Sequence, residues 1–303
     1  MKKNRQFEKL DVFKTILFII VSLYVLTMIA MFVFAILFSL KDHEDIVNNN
    51  NVLGFPSAEY GFKFNYYTDI FTKFYIQIST QSGIEKVYIE TMFMNSIFYT
   101  FLVTALSILS QVLVAYAVSK YKFKLGIVYY TVGVVVMLIP IVGALPSQLK
   151  VMDFMGLRDS YLGIAIMKCN FSSMYFLVFY AMFKGVSWTY AEAAQIDGAG
   201  HFQIFIQIML PMISSTILSV FILQAIVNWN DYYTPMLFAP NKPTLAFGLY
   251  DLQGAVGNHS DIKNLYDQQK IAAALITCLP IVAVFVLLRN KIMGNMTLGG
   301  IKG

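Results

Sequence analysis

Long uncharged runs divide this chain and predict its elements. The first extends from Thr15 to Leu40, between Lys14 and Lys41. The second covers Thr91 to Ser119, and the third Leu125 to Leu149. A fourth, from about Tyr161 to Phe183, is interrupted by Lys168, and a fifth, Met212 to Leu237, contains Asp231. The last, Ile271 to Leu288, surrounds Pro280. A bilayer core about 30 Å thick needs about 20 apolar residues of helix, so the pattern predicts six transmembrane helices in an all-α integral membrane protein. The predicted layout is an N-terminal segment 1–14, a first helix 15–40 and an outer loop 41–90. A five-helix core 91–289 follows, with an inner loop 184–211, and a tail 290–303 ends the chain.

The first apolar run is longer than the 7–15 residues of a signal-peptide core and ends without a small-residue cleavage site, so it reads as an uncleaved anchor. Orientation follows from the cationic residues. With the N-terminus inside, the inner segments hold twelve Lys and Arg, and the longer outer segments nine. Both termini are therefore expected in the cytoplasm. Pro140, Pro146, Pro235 and Pro280 lie within the apolar runs. Each removes a helical hydrogen bond, either as a packing kink or as a break beside a translocation path.

Composition excludes several classes. Of 303 residues, 58% are hydrophobic and 13% charged, with a mean hydropathy of +0.64. Soluble domains carry about 25% charged residues, so a soluble enzyme is ruled out. The net charge of +5 is scattered, which argues against a nucleic-acid partner. Cys169 and Cys278 are far apart and His43, His201 and His259 are isolated, so neither a disulfide framework nor a metal site is expected.

The inner loop carries the most information. Thr189 and Glu192 have capping-box spacing and predict a helix start, and Asp197-Gly198 predicts its stop. From 191 to 200, six of ten residues are Ala or Gly, small enough for close docking. A second short helix is expected over Phe202–Met209, with Gln203 and Gln207 on one face. Two such helices meeting at a glycine corner would form a knob at the membrane surface.

Glu192-Ala193-Ala194, then Gly198, Ile208, Leu210 and Pro211, resembles the EAA-x3-G-x9-I-x-L-P loop of ATP-binding-cassette importer permeases. Asn228-Trp229-Asn230-Asp231-Tyr232-Tyr233, followed by Pro235-Met236-Leu237, is similar to a W-N-[DE]-[FY]-x-x-P-[LM] segment of sugar permeases. Thr244–Tyr250 resembles their outer loop before the last span, and the tail ending Gly299-Gly300-Ile301-Lys302-Gly303 that of the maltose-type subunit, although Asn295-Met296 departs from it. The resemblance covers about 90–303. It implies a type I ABC importer permease (MetI-like) fold in a bacterial plasma membrane. It also implies a second, homologous permease, two cytoplasmic ATPases gripping the loop that contains Asp197, and an extracytoplasmic sugar-binding protein.

On this reading Asn228 to Tyr233 form a possible substrate path, or else a buried network or interfacial belt. Gly254, Ala255, Val256 and Gly257 would form a loop that reaches the binding protein. No G-x4-G-K-[ST] string is present, so ATP and Mg would be held by partner subunits, with no cofactor in this chain. The lone intramembrane charges Lys168 and Asp231 do not make an intramembrane enzyme or a proton-coupled carrier. Amino acids, polyamines and phosphate remain alternative solutes, because the EAA loop is shared with their importers.

Overall fold

The computed structural model describes residues 12–80, 83–121, 123–139, 143–171, 173–254 and 265–296. The chain divides into two compact units, Met1–Phe74 with Ile262–Ile276, and Tyr75–Asp261 with Thr277–Gly303.

In the first unit α1 (Val12–Ser39) is a single 28-residue helix, its large apolar side chains exposed from Phe13 to Ile36. Two short helices follow, α2 (His43–Asn49) and α3 (Asn65–Lys73). Ile70 and Phe74 are buried. The His43 ring stacks on Tyr266 at 4.2 Å between centroids, and Gln269 Nε2 donates to Asp69 Oδ2 at 3.1 Å. This folded segment is expected from the sequence only as a loop.

The second unit opens with an antiparallel hairpin of β1 (Tyr75–Thr80) and β2 (Gly83–Tyr88), in which Tyr75 faces Tyr88. This small sheet is an exception to the all-α expectation. It leads directly into α4 (Ile89–Lys120), the central helix, which packs against α7 (Tyr161–Met167), α8 (Met174–Gly185), α12 (Ser214–Trp229) and α14 (Leu245–Leu252). Ser96, Thr100, Thr104, Ser107 and Gln111 form a buried stripe on α4. Such small residues allow helices to approach closely within a membrane.

The third, fourth and fifth predicted spans are each broken rather than continuous. The third forms α5 (Lys124–Leu138) and α6 (Leu145–Phe154). The fourth forms α7 and α8, because Ser173 caps a new helix by accepting the Phe176 N–H at 3.4 Å. The fifth forms α12 and α13 (Tyr233–Phe238). Among the described residues, three helices are long and apolar enough to cross a membrane alone. A fourth candidate is the pair His201–Met212 and Ser214–Trp229, bent by 73°.

Pro146 and Pro235 sit in the first turns of α6 and α13, where the missing N–H costs little. Pro280 lies in the interior of a helix, α15 (Asp267–Met296), and Pro140 lies outside the described residues. Because α15 runs to Met296, the expected tail 290–303 begins as helix.

Candidate functional site

The predicted knob is present, built somewhat differently. α9 (Thr189–Ile196) starts where expected, but Trp188 holds the cap position, and its carbonyl accepts the N–H groups of Ala191 and Glu192 at 2.8 and 3.1 Å. The Thr189–Glu192 capping box does not form. Ser187, two residues earlier, takes the Thr189 hydroxyl and accepts its backbone N–H at 3.3 Å. The stop is as predicted: Asp197 caps the helix and Gly198 turns the chain at φ +86°, a conformation that favours glycine.

α10 (His201–Ile204), a π turn over Phe205–Met209 and α11 (Leu210–Met212) form the second arm. Gln203 Nε2 donates to Gln207 Oε1 at 3.2 Å, which places the two on one face. A cleft of about 270 Å³ separates the arms, lined by Ala194, Asp197, Gly198, Gln203, Gln207 and Ile208, among others. Ala191 is fully buried, whereas Glu192, Ala193, Asp197, Gly198 and Pro211 are exposed and Ala194, Ile208 and Leu210 half-buried. Tyr190, Ile196 and Phe202 leave large apolar surfaces exposed on the knob.

The end of α4 holds this knob in place. Lys120 Nζ donates to the Val186 carbonyl at 2.5 Å. Tyr121 packs edge-on against Trp188 and bonds His201 Nδ1 through its hydroxyl at 3.3 Å. Tyr116 packs on both Phe183 and Phe205. Sequence reading did not single out these aromatics, although the cluster Tyr116, Lys120 and Tyr121 marks the end of an apolar run.

The second candidate region lies at the two helix breaks. Lys168, which ends α7, and Asp231, between α12 and α13, form an ion pair at 2.5 Å. Tyr99 on α4 donates to the same Asp231 oxygen at 2.9 Å, and Lys168 Nζ lies 3.1 Å from the Tyr99 hydroxyl and 3.3 Å from Asn228 Oδ1. Asn228 Nδ2 donates to Thr104 Oγ1 at 2.9 Å. The other Asp231 oxygen accepts the Thr234 N–H at 3.0 Å and fixes the start of α13. Asn228 and Asp231 thus belong to an interhelical network, which includes Tyr99 and Thr104, two residues the sequence reading missed.

The rest of the segment divides. Trp229 Nε1 donates to the Thr277 carbonyl, and Asn230 caps back to Ile226. Tyr232 stacks on Tyr250 at 4.1 Å and 19°, and Tyr233 is exposed. Thr244–Tyr250, expected in the outer loop before the last span, forms the N-cap and most of α14, with Thr244 capping at Phe247. Its start is pinned to α4 by Ser96, whose Oγ accepts the Leu245 N–H at 2.7 Å. Gly254 turns at φ +75°, while Ala255, Val256 and Gly257 lie outside the described residues. Among the described residues no group of three His, Cys, Asp or Glu could hold a metal ion.

No protein-family model matches the chain. Over 221 residues it is 31% identical to the probable ABC transporter permease protein MG189 homolog of Mycoplasma pneumoniae, covering 69% of each chain. This chain belongs to the ABC transporter permease family. The permease is also similar to the arabinooligosaccharides transport system permease protein AraQ of Halalkalibacterium halodurans, 27% identical over 232 residues and 78% of that protein. To the sn-glycerol-3-phosphate transport system permease protein UgpE of Yersinia pestis it is 26% identical over 201 residues and 69% of that protein. Its fold matches a chain in the crystal structure of a bacterial ABC transporter involved in the import of the acidic polysaccharide alginate. That match has a TM-score of 0.73 at 20% identity and covers 94% of this chain and 98% of the other. The permease is a helical, multi-pass membrane subunit of a transporter and not an enzyme.

Proposed function

We propose that this permease is one of two paired membrane subunits of an ATP-driven, binding-protein-dependent importer for carbohydrate, moving an oligosaccharide by alternating access. The observation that carries the substrate class is the similarity to AraQ, whose name assigns it arabinooligosaccharides. The Asn228–Tyr233 segment supports it, because exposed aromatic faces beside hydrogen-bonding groups suit a sugar. On this reading the α9–α11 knob receives an ATPase subunit, with Glu192 offered to a basic group of the partner. The 254–257 turn would approach an extracytoplasmic binding protein. The broken pairs α5/α6 and α7/α8 complete six spans, and both termini lie in the cytoplasm of a bacterial cell.

Similarity to UgpE, named for sn-glycerol-3-phosphate, favours a second reading in which the solute is a small phosphate ester. Reconstitution with partner ATPases, a second permease and a binding protein would test both. ATP-dependent uptake of labelled oligosaccharide is expected. Uptake driven by an ion gradient alone, or of glycerol phosphate but no sugar, would overturn the first reading.

A further inference from the structure

In the segment that follows α1, Lys41 and Asp45 are buried and several large apolar side chains are exposed, beside the exposed Glu44 and Glu59. Lys41 is only 1% exposed, and its ammonium donates to the Asn51 and Val52 carbonyls at 2.7 and 2.9 Å. Asp45 is 0% exposed, and its carboxylate accepts from Asn49 Nδ2, Asn51 Nδ2 and both the N–H and hydroxyl of Ser57. Large apolar side chains of the same stretch are exposed. Leu53 is 83% exposed, Phe55 72%, Phe62 51% and Phe64 64%. A surface solvated by water places charge outward and phenyl rings inward. The reverse arrangement fits a surface solvated by lipid.

Position supports the same solvent. The Lys63 N–H donates to the Leu40 carbonyl at 2.8 Å, one residue past the end of α1. Ser39 Oγ on the last turn of α1 bonds the Tyr67 hydroxyl at 2.6 Å, and Lys63 pairs with Asp42 at 2.8 Å. Phe62 and Phe64 therefore flank a residue tied to the very end of an apolar 28-residue helix, whose large apolar side chains are exposed as far as Ile36. That end is where hydrocarbon gives way to headgroups. Aromatic rings concentrate at this depth, and a basic residue among them keeps its charged tip in the polar layer. Two helices of seven and nine residues are too short to span the bilayer.

We propose that residues 41–64 form a collar in the membrane interface at the C-terminal end of α1. Leu53, Phe55, Phe62 and Phe64 enter the upper acyl region, and the Lys41–Asp45 cage keeps its charges off the lipid. The occupant of this apolar face is lipid, because the face continues the exposed surface of α1. The collar would fix the depth of that helix and is independent of which solute the transporter carries.

The test uses the full chain in its assembled transporter, reconstituted in phosphatidylcholine–phosphatidylglycerol vesicles. With Cys169→Ala and Cys278→Ala as background, nitroxide labels are placed at Phe62→Cys and Phe64→Cys, with Glu59→Cys as a reference. Oxygen collides preferentially within the hydrocarbon and a water-soluble nickel chelate outside it. At 62 and 64 the oxygen-to-nickel collision ratio should exceed that at 59 several-fold, giving a depth of about 5–10 Å below the headgroups. A chelate-dominated signal would place the face in water, as a protein-docking surface would be. Protection from both reagents would place it under another subunit. Either result overturns the proposal. If the labelled cysteines disturb the collar, Phe62→Trp, in a Trp188→Phe, Trp229→Phe background, keeps an aromatic ring there. Its emission should be quenched by lipids brominated near the headgroup, and no quenching would count equally against the proposal.

Discussion

Lys168 and Asp231 meet at 2.5 Å where two helices break, and Tyr99 on the central helix donates to the same carboxylate oxygen. Each charge appears singly within its own apolar run, and only the fold shows that they neutralise one another. A buried carboxylate left without its cation is far costlier than the loss of the pair as a whole. Lys168→Met alone should therefore destabilise the permease by about 2–4 kcal/mol, as should Asp231→Asn, and the double variant by less than their sum. Thermal unfolding of the four proteins in detergent measures the coupling. Additive losses would mean that the contact has no energetic weight.

The knob gives a prediction about transmission and not stability. Gly198 stands at φ +86°, with nothing within 4 Å of an added Cβ, so a larger side chain meets backbone strain and no clash. Gly198→Val forces a β-branched residue into the left-handed region at a local cost of about 1–2 kcal/mol or more, which re-aims the second arm. Glu192→Lys reverses an exposed charge and should leave the fold untouched. Both variants should insert and pair normally but lose substrate-stimulated ATP hydrolysis. Wild-type stimulation in both would remove this loop from the coupling path.

The same two regions show what was legible in the chain. α1 and α4 could be placed to within a few residues, because each is an unbroken apolar run between charges. The knob could be placed because Gly198 and the small residues before it are local signals. Its cap is not legible from spacing, since Thr189 fits a capping box but the backbone path puts Trp188 at the cap, with Ser187 accepting the Thr189 N–H. The breaks after Met167 and Trp229 were hidden, because apolar periodicity does not register a helix restarting in hydrocarbon. Tyr99 and Tyr250 were missed for another reason: their partners lie far away in sequence, Asp231 and Tyr232 respectively. The spacing of Ser96, Thr100 and Thr104 was a readable signal of a packing face on α4.

The Asp45 cage predicts a pH response. Burial alone would raise this carboxyl, but hydrogen bonds from Ser57, Asn49 and Asn51 outweigh it and hold the group below the usual carboxylate range. A carboxylate with a lowered folded pKa stabilises the fold above its unfolded value, about 3.9, and loses that contribution as pH falls through the folded value. The 41–57 segment should accordingly stay closed at pH 5 and loosen only in stronger acid. Hydrogen exchange at the backbone of residues 51–57 would report it. Asp45→Asn, which exchanges an acceptor oxygen for donors, should open the segment at neutral pH and abolish the acid step. Loosening of the wild type between pH 7 and 5 would contradict the assignment.

The stacked rings of Tyr232 and Tyr250 separate a sugar-contacting role from a packing role. At 4.1 Å and 19° the two rings are nearly parallel, and α14 is pinned to α4 through Ser96 and the Asn95 side chain on Pro243. Tyr250 is thus held by a rigid element and orients Tyr232, which is partly exposed. If Tyr232 lines the solute path, Tyr232→Ala should raise the KM for sugar uptake about five- to tenfold, the loss of about 1–1.4 kcal/mol expected for one aromatic contact. Tyr232→Phe should retain most of the stacking and most of the affinity. Tyr250→Ala should reproduce a weaker form of the Tyr232→Ala defect, since it frees the ring without removing it. Melting temperatures distinguish the packing alternative, in which both alanine variants unfold earlier while sugar affinity stays at the wild-type value. Unchanged KM with an unchanged melting temperature would mean that neither ring contributes to transport.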